Sequence, residues 1–173
     1  GVTGVQTCAL PISALRAAPL GSDDAAHARL RDRVSALAVP RPAAGIPAAL
    51  AGKTFRFPEN AAKVESLRIE PAAGAGPAHV VLESHGRKQR VACGAGSFAT
   101  GKVAWGGNPE APAAATIGTE GEACVVRICF VETPFVTTLR LAPEGDGVKL
   151  SGGANVGFGP TKLPDLVGKP VEE

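Results

Sequence analysis

The spacing of apolar positions along this chain changes near residue 52, and the change divides it in two. Upstream, Ala26, Leu30, Val34 and Leu37 recur at helical intervals, while Arg29, Asp32 and Arg33 face elsewhere. Ser22 or Asp23 can cap the first free N–H groups, and Asp23-Asp24 suits the positive end of the helix dipole. Pro40 and Pro42 should stop the helix near Val39. The pattern therefore predicts a helix over Ser22–Val39, within a segment 13–39, whose narrow apolar stripe suits packing on another surface. Pro40 to Ala51, PRPAAGIPAALA, has three prolines, a glycine and no alternation, so it reads as an extended linker ending at a domain boundary.

From Gly52 the period is two. Phe55 and Phe57 alternate with Thr54 and Arg56, and Pro58-Glu59-Asn60 turns the chain. Leu67 and Ile69 mark a second strand, ended by Pro71 and the 74–77 loop. Ala78–Ser84 is a third, with Val80 and Leu82 on one face and His79, Glu83 and His85 on the other. Val91 with Cys93 marks a fourth strand and Val103 with Trp105 a fifth, broken by Gly106-Gly107-Asn108-Pro109. Ala113–Thr119 is a weaker sixth.

Glu122–Val131 is apolar on both faces apart from Arg127, as expected of a central or barrel strand. Phe135, Thr137, Leu139 and Leu141 alternate next, Val148 and Leu150 follow the Pro143–Gly147 turn, and Val156 with Phe158 suggests a last strand. Strands joined by short turns with no interleaved helices predict a mainly β fold. It is an antiparallel meander over 52–165, closing toward a lipocalin-like barrel or a sandwich, with one short N-terminal helix and a tail over 166–173.

Composition changes this picture little. The chain has 173 residues, a formal charge of +2 and 20% charged residues, too balanced to point to nucleic acid or an anionic membrane surface. No apolar run reaches the roughly 18 residues of a bilayer-spanning helix. Residues 2–12, VTGVQTCALPI, resemble an in-frame translated sequencing adapter, which implies an artefactual, disordered segment 1–12 and a missing native start. Setting Cys8 aside leaves Cys93, Cys124 and Cys129, an odd number with no C-x-x-C, so buried free thiols are expected. Cys124 and Cys129 should point to opposite faces of their strand.

Candidate chemistry is thin. Gly52-Lys53-Thr54 lacks the first glycine of a phosphate loop, where Pro47 stands, and precedes a strand instead of a helix. Gly94-Ala95-Gly96 has no βαβ context and reads as a turn. His79, Glu83 and His85 share a face, but two residues per repeat at about 3.3 Å each separates the histidines too far for one zinc ion. No serine is followed by lysine at the third place, and G-x-S-x-G is absent. Catalytic, cofactor-binding and metal-binding residues are therefore expected to be none. Phe55, Phe57, Trp105, Phe130, Phe135 and Phe158 are expected either as core or as the lining of a ligand cavity.

Two stretches carry a family likeness. They are Glu132-Thr133-Pro134-Phe135-Val136 and Asn155-Val156-Gly157-Phe158-Gly159-Pro160-Thr161, with Gly52–Phe57, Gly101–Trp105 and Leu166–Lys169 in order around them. Here the chain resembles the C-terminal region of β-lactamase-like serine hydrolases of the penicillin-binding, class C-type group. The resemblance implies a catalytic α/β domain in cis upstream, carrying S-x-x-K and a tyrosine motif. It also implies a parent that acylates its serine with an ester, amide or β-lactam, a periplasmic or secreted location, and a non-catalytic accessory role for this β domain. None of the catalytic motif residues has a counterpart here. The rival readings are a barrel holding a small apolar ligand, favoured by a cavity lined by Phe55, Phe57, Phe130 and Phe135, and an envelope structural domain.

Overall fold

The computed structural model describes residues 21–157 and 159–171. The adapter-like stretch, Cys8, Ser13 and Phe158 lie outside the described residues. Two compact units divide the chain between Val39 and Pro40. The first holds helix α1 (Asp24–Ser35), whose N-cap Asp23 accepts the Ala26 N–H at 2.8 Å. The helix closes at Ala36, before the prolines, and none of its residues is buried; Leu30, Val34 and Leu37 are exposed.

The second unit, Pro40–Glu173, holds ten strands. They are β1 (Thr54–Arg56), β2 (Val64–Glu70), β3 (Ala78–Ser84), β4 (Arg87–Ala95), β5 (Ala99–Val103), β6 (Ala111–Glu120), β7 (Ala123–Phe130), β8 (Val136–Glu144), β9 (Gly147–Ala154) and β10 (Lys162–Val171). Neighbours run β4-β3-β2-β1-β10-β9-β8-β7-β6, and the ring closes where Gly94 and Ala95 of β4 lie parallel to Thr116 and Ile117 of β6. Nine strands form a closed barrel. The tenth, β5, covers the rest of the β6 edge, Ala99–Val103 running antiparallel to Ala111–Ala115. Every strand pair except the closing one is antiparallel, and closure leaves that edge no template for aggregation.

Polar side chains hold the seam. Thr116 Oγ1 donates to the Gly94 carbonyl at 2.9 Å. The Gln89 amide donates to the Ala104 carbonyl at 2.7 Å and accepts the Ala104 N–H at 3.0 Å, a backbone-like pair between β4 and the residue that follows β5. The adjoining turn requires glycine, since a Cβ at Gly94 would stand 2.6 Å from the Ser97 carbonyl oxygen.

Alternation puts one apolar set inside. Leu67, Ile69, Leu82, Ile117, Leu139 and Leu150 are almost wholly buried in one cluster that also takes in Phe55 and Phe57. Gly168 of β10 makes room for Phe57, whose ring lies 2.7 Å from where a Cβ would stand. Outside lie the ion pairs Arg90–Glu70 at 2.8 Å, Arg140–Glu120 at 3.3 Å and Lys149–Asp165 at 2.7 Å. The Arg90 guanidinium holds the Glu70 carboxyl below its ordinary range, and Asp165 raises the Lys149 ammonium. This apolar-in, charged-out arrangement inverts that of a transmembrane barrel. Among the described residues, no helix is long and apolar enough to cross a membrane.

Three expectations need correcting. Pro40–Ala51 is not a free linker but part of the barrel unit. Ala43 exchanges both backbone hydrogen bonds with Thr119, at 3.2 and 2.7 Å, and Pro42 packs 3.0 Å from where a Gly118 Cβ would stand. The Arg127 guanidinium donates to the Pro40 carbonyl. Leu50 and the half-buried Ile46 join the core. This strap crosses one end of the barrel. Second, the expected tail is most of β10, paired with both β9 and β1, because a strand flanked on both sides tolerates poor propensity. Third, no strand passes through Val156: the chain bends there, since Asn155 uses its backbone and side chain on the facing loop.

Among the described residues, Cys93, Cys124 and Cys129 are free thiols. Burial pushes Cys93 and Cys124 up to about 12, with each other's proximity adding to the shift at Cys93. Cys124 faces the core, whereas Cys129 on the opposite face of β7 is half-buried.

Candidate functional site

The end opposite the strap is built from the loops 57–63, 85–86, 104–110 and 131–135 and from residues 155–157 and 159–161. The interior is filled as far as the Ile128–Thr137 level and opens beyond it. Register explains why. Thr137 lies opposite Ile128 on one side and Ala154 on the other, and Phe130 lies opposite Ala113. Phe130, Thr137 and Ala154 share the parity of the buried core residues Ile128, Leu139 and Leu150, so all three face inward. Ala111 and Ala154 are too small to fill their share of the last layer.

The result is an apolar groove of about 450 Å³, lined by Trp105, Ala111, Phe130, Phe135 and Ala154, with polar points at Asn108, Thr133 and Thr137. Its size falls within the usual range for small-ligand sites. Smaller depressions lie against other sides of Trp105. One of about 280 Å³ is bounded by Ala62, Val64, Ser84 and Leu163, and one of about 120 Å³ by Ser84, His85, Arg87 and Gln89. Trp105 therefore borders each of these three recesses.

Local hydrogen bonds fix the aromatic walls. Trp105 follows Ala104, whose N–H and carbonyl are both taken by Gln89. Its own carbonyl accepts the Asn108 N–H at 3.0 Å and the Asn108 side-chain amide at 2.9 Å. Gly106 and Gly107, at φ +60° and +79°, make this tight turn possible. Phe135 is held in the loop opposite. Its carbonyl accepts the Phe130 N–H at 3.0 Å, and its N–H reaches the Thr133 hydroxyl at 3.2 Å. Asn155 clamps that loop, accepting the Val136 N–H at 2.7 Å and donating to the Pro134 carbonyl at 2.9 Å.

Three buried polar side chains stand out against the apolar interior: Ser84, Thr116 and Thr137. Thr116 closes the seam. Among the described residues, the hydroxyls of Ser84 and Thr137 make no hydrogen bond, although the residues are only 8% and 2% exposed. Both line the mouth. Neither hydroxyl oxygen is sealed from solvent, so both reach the open space of the mouth.

The six expected aromatic residues separate. Phe55 and Phe57 are core; Trp105, Phe130 and Phe135 come together at the mouth; Phe158 lies outside the described residues. Phe55 and Phe57 do not line the groove with Phe130 and Phe135: Gly168 admits the Phe57 ring against β10, and Phe57 borders a separate recess of about 240 Å³ with Pro58 and Asn60. Sequence reading missed Ser84, Thr137 and Ala154, whose only signal was a small or polar residue at an inward position of a strand. His79 and Glu83 lie half-buried on the outer face of β3, as expected, and no group of three metal-ligating side chains occurs among the described residues.

Comparisons with protein families, curated proteins and solved structures return no match to this chain. The likeness to class C-type serine hydrolases does not hold. The described β residues form one closed nine-stranded barrel of lipocalin type, in place of the mixed α/β architecture of those enzymes. The residues that carried the likeness serve the barrel: Gly168 admits Phe57, Asn155 clamps two loops, and Trp105 walls the mouth. Such residues mark packing and turn chemistry, which any barrel requires. The accessory role and the serine-hydrolase activity were inferred from that likeness and fall with it, and nothing in the structure indicates a catalytic domain in cis.

Proposed function

We propose that the protein is a binding module, a lipocalin-like barrel that takes a small, largely apolar ligand at its open end. The observation carrying this reading is the apolar groove of about 450 Å³ walled by Trp105, Phe130 and Phe135 above a filled core. A barrel of this strand number fills its lower interior with side chains and has room for one small ligand near its rim. The walls supply apolar area, and the Thr137 hydroxyl supplies one fixed polar contact.

The chain contains one tryptophan and no tyrosine, so its ultraviolet emission reports on Trp105 alone. Titration with decan-1-ol should shift and saturate that emission. Ala154→Leu, which fills the groove from its inner wall, should weaken binding by about tenfold or more while the unfolding midpoint moves little. An emission that stays flat across the whole titration would remove the binding reading.

A further inference from the structure

The small recess beside the groove has a different chemistry, and resting on the binding reading of the mouth, it narrows the ligand class. We propose that the ligand is a carboxylate-headed amphiphile, its chain in the Trp105–Phe130–Phe135 groove and its head against Ser84, His85 and Arg87.

The recess of about 120 Å³ shares Trp105 and Asn108 with the groove, so the two adjoin around one indole. It has room for a head group and not for an apolar body. Its polar lining is partly spoken for: the Gln89 amide donates one N–H to the Ala104 carbonyl and accepts the Ala104 N–H, and the Asn108 amide donates to the Trp105 carbonyl. The groups in the recess with no bond to the protein are the Ser84 hydroxyl, the His85 imidazole and the Arg87 guanidinium, beside the second amide N–H of Gln89. Ser84 faces inward with Val80 and Leu82, its backbone is paired with β2 and β4, and its hydroxyl opens on the recess.

Neither His85 nor Arg87 has an ion pair there. The carboxylate against this turn, that of Glu65, is engaged by the Gly86 N–H at 2.8 Å. His85 also holds φ +53°, an unfavourable conformation for a non-glycine residue, and its imidazole borders Gly107. A hydroxyl donor, an imidazole and a guanidinium around one small space match a carboxylate, which accepts from all three. An ammonium head would meet the guanidinium as a like charge. An alcohol would satisfy Ser84 and leave the two basic groups as they are.

The test compares decanoate, decan-1-ol and decylamine by Trp105 emission on the full chain, in the wild type and in Arg87→Gln and His85→Gln. Both substituted residues are exposed at a turn, and chemical unfolding verifies that the variants fold. Decanoate should bind about tenfold more tightly than the alcohol, with the amine weakest. In Arg87→Gln the decanoate affinity should fall to that of the alcohol, and in about 0.5 M salt the wild-type preference should shrink, since these charges are exposed. Equal affinities for decanoate and decanol, or a preference surviving both substitutions, would overturn the head-group assignment while the groove stands. If none of the three alters the emission, the groove reading fails and this assignment fails with it.

Discussion

Leu50 separates the strap from a linker most cleanly. In an extended Pro/Ala linker a leucine would be exposed, and Leu50→Ala would change stability by under about 0.5 kcal/mol. In the folded barrel Leu50 is 1% exposed and belongs to the same apolar cluster as Phe55, Leu67 and Ile69. Its removal deletes three buried carbons and leaves a void that the ring of strands cannot collapse to fill. Substitutions of this kind cost about 3 kcal/mol, with a spread of about 2–5. At a urea dependence of about 2 kcal/mol per M, the midpoint should fall by roughly 1.5 M. The assay is urea unfolding followed by Trp105 emission and far-ultraviolet circular dichroism, with Leu37→Ala as the exposed control. A loss below about 1 kcal/mol, or equal losses in the two variants, would refute the packing of the strap against the core.

Other consequences are as direct. Gly118→Ala places a methyl where the Ala43 carbonyl and Pro42 now lie; it should detach the strap and its two Thr119 hydrogen bonds, costing about 2 kcal/mol in denaturant unfolding. Thr116→Val keeps the shape of the seam and deletes the bond to Gly94; it should cost about 1 kcal/mol and raise amide exchange at Gly94–Ala95, measurable by hydrogen exchange. In a Cys8→Ser background, Cys93 and Cys124, pushed up to about 12 by burial, should react with a disulfide reagent at pH 8 only as the barrel unfolds. The less buried Cys129 should react first, and fast modification of Cys93 in the folded protein would contradict the core assignment.

Much of the barrel was legible because period-two alternation is strong where one face is buried. Ala78–Ser84 has the predicted bounds, and the Glu122–Val131 segment is indeed a central strand, apolar outward as well because Val125 sits across from Gly118, where the strap covers the sheet. What sequence could not carry was long-range. The strap hides among prolines that cannot donate hydrogen bonds, so nothing local distinguishes Ala43, the residue that does pair, from its neighbours. β10 contains Pro164, Asp165, Gly168 and Pro170, each unfavourable in a strand; it forms because β9 and β1 lie on either side and a register shift between Leu163 and Leu166 absorbs the misfit. The parallel closure through Gly94–Ala95 is a two-residue contact with no pattern of its own. The mouth was half legible: aromatic residues announce themselves, whereas Ala111, Thr137 and Ala154 make the space by being small.

The most direct measurement is a residue-resolved map of where a saturating apolar ligand acts. Backbone amide shifts on addition of decan-1-ol should concentrate at 104–111, 130–137 and Ala154, and leave the strap end at 43–51 and 71–77 unmoved. Shifts scattered over the outer strands, centred on the strap end, or absent at saturation would contradict a ligand-binding mouth.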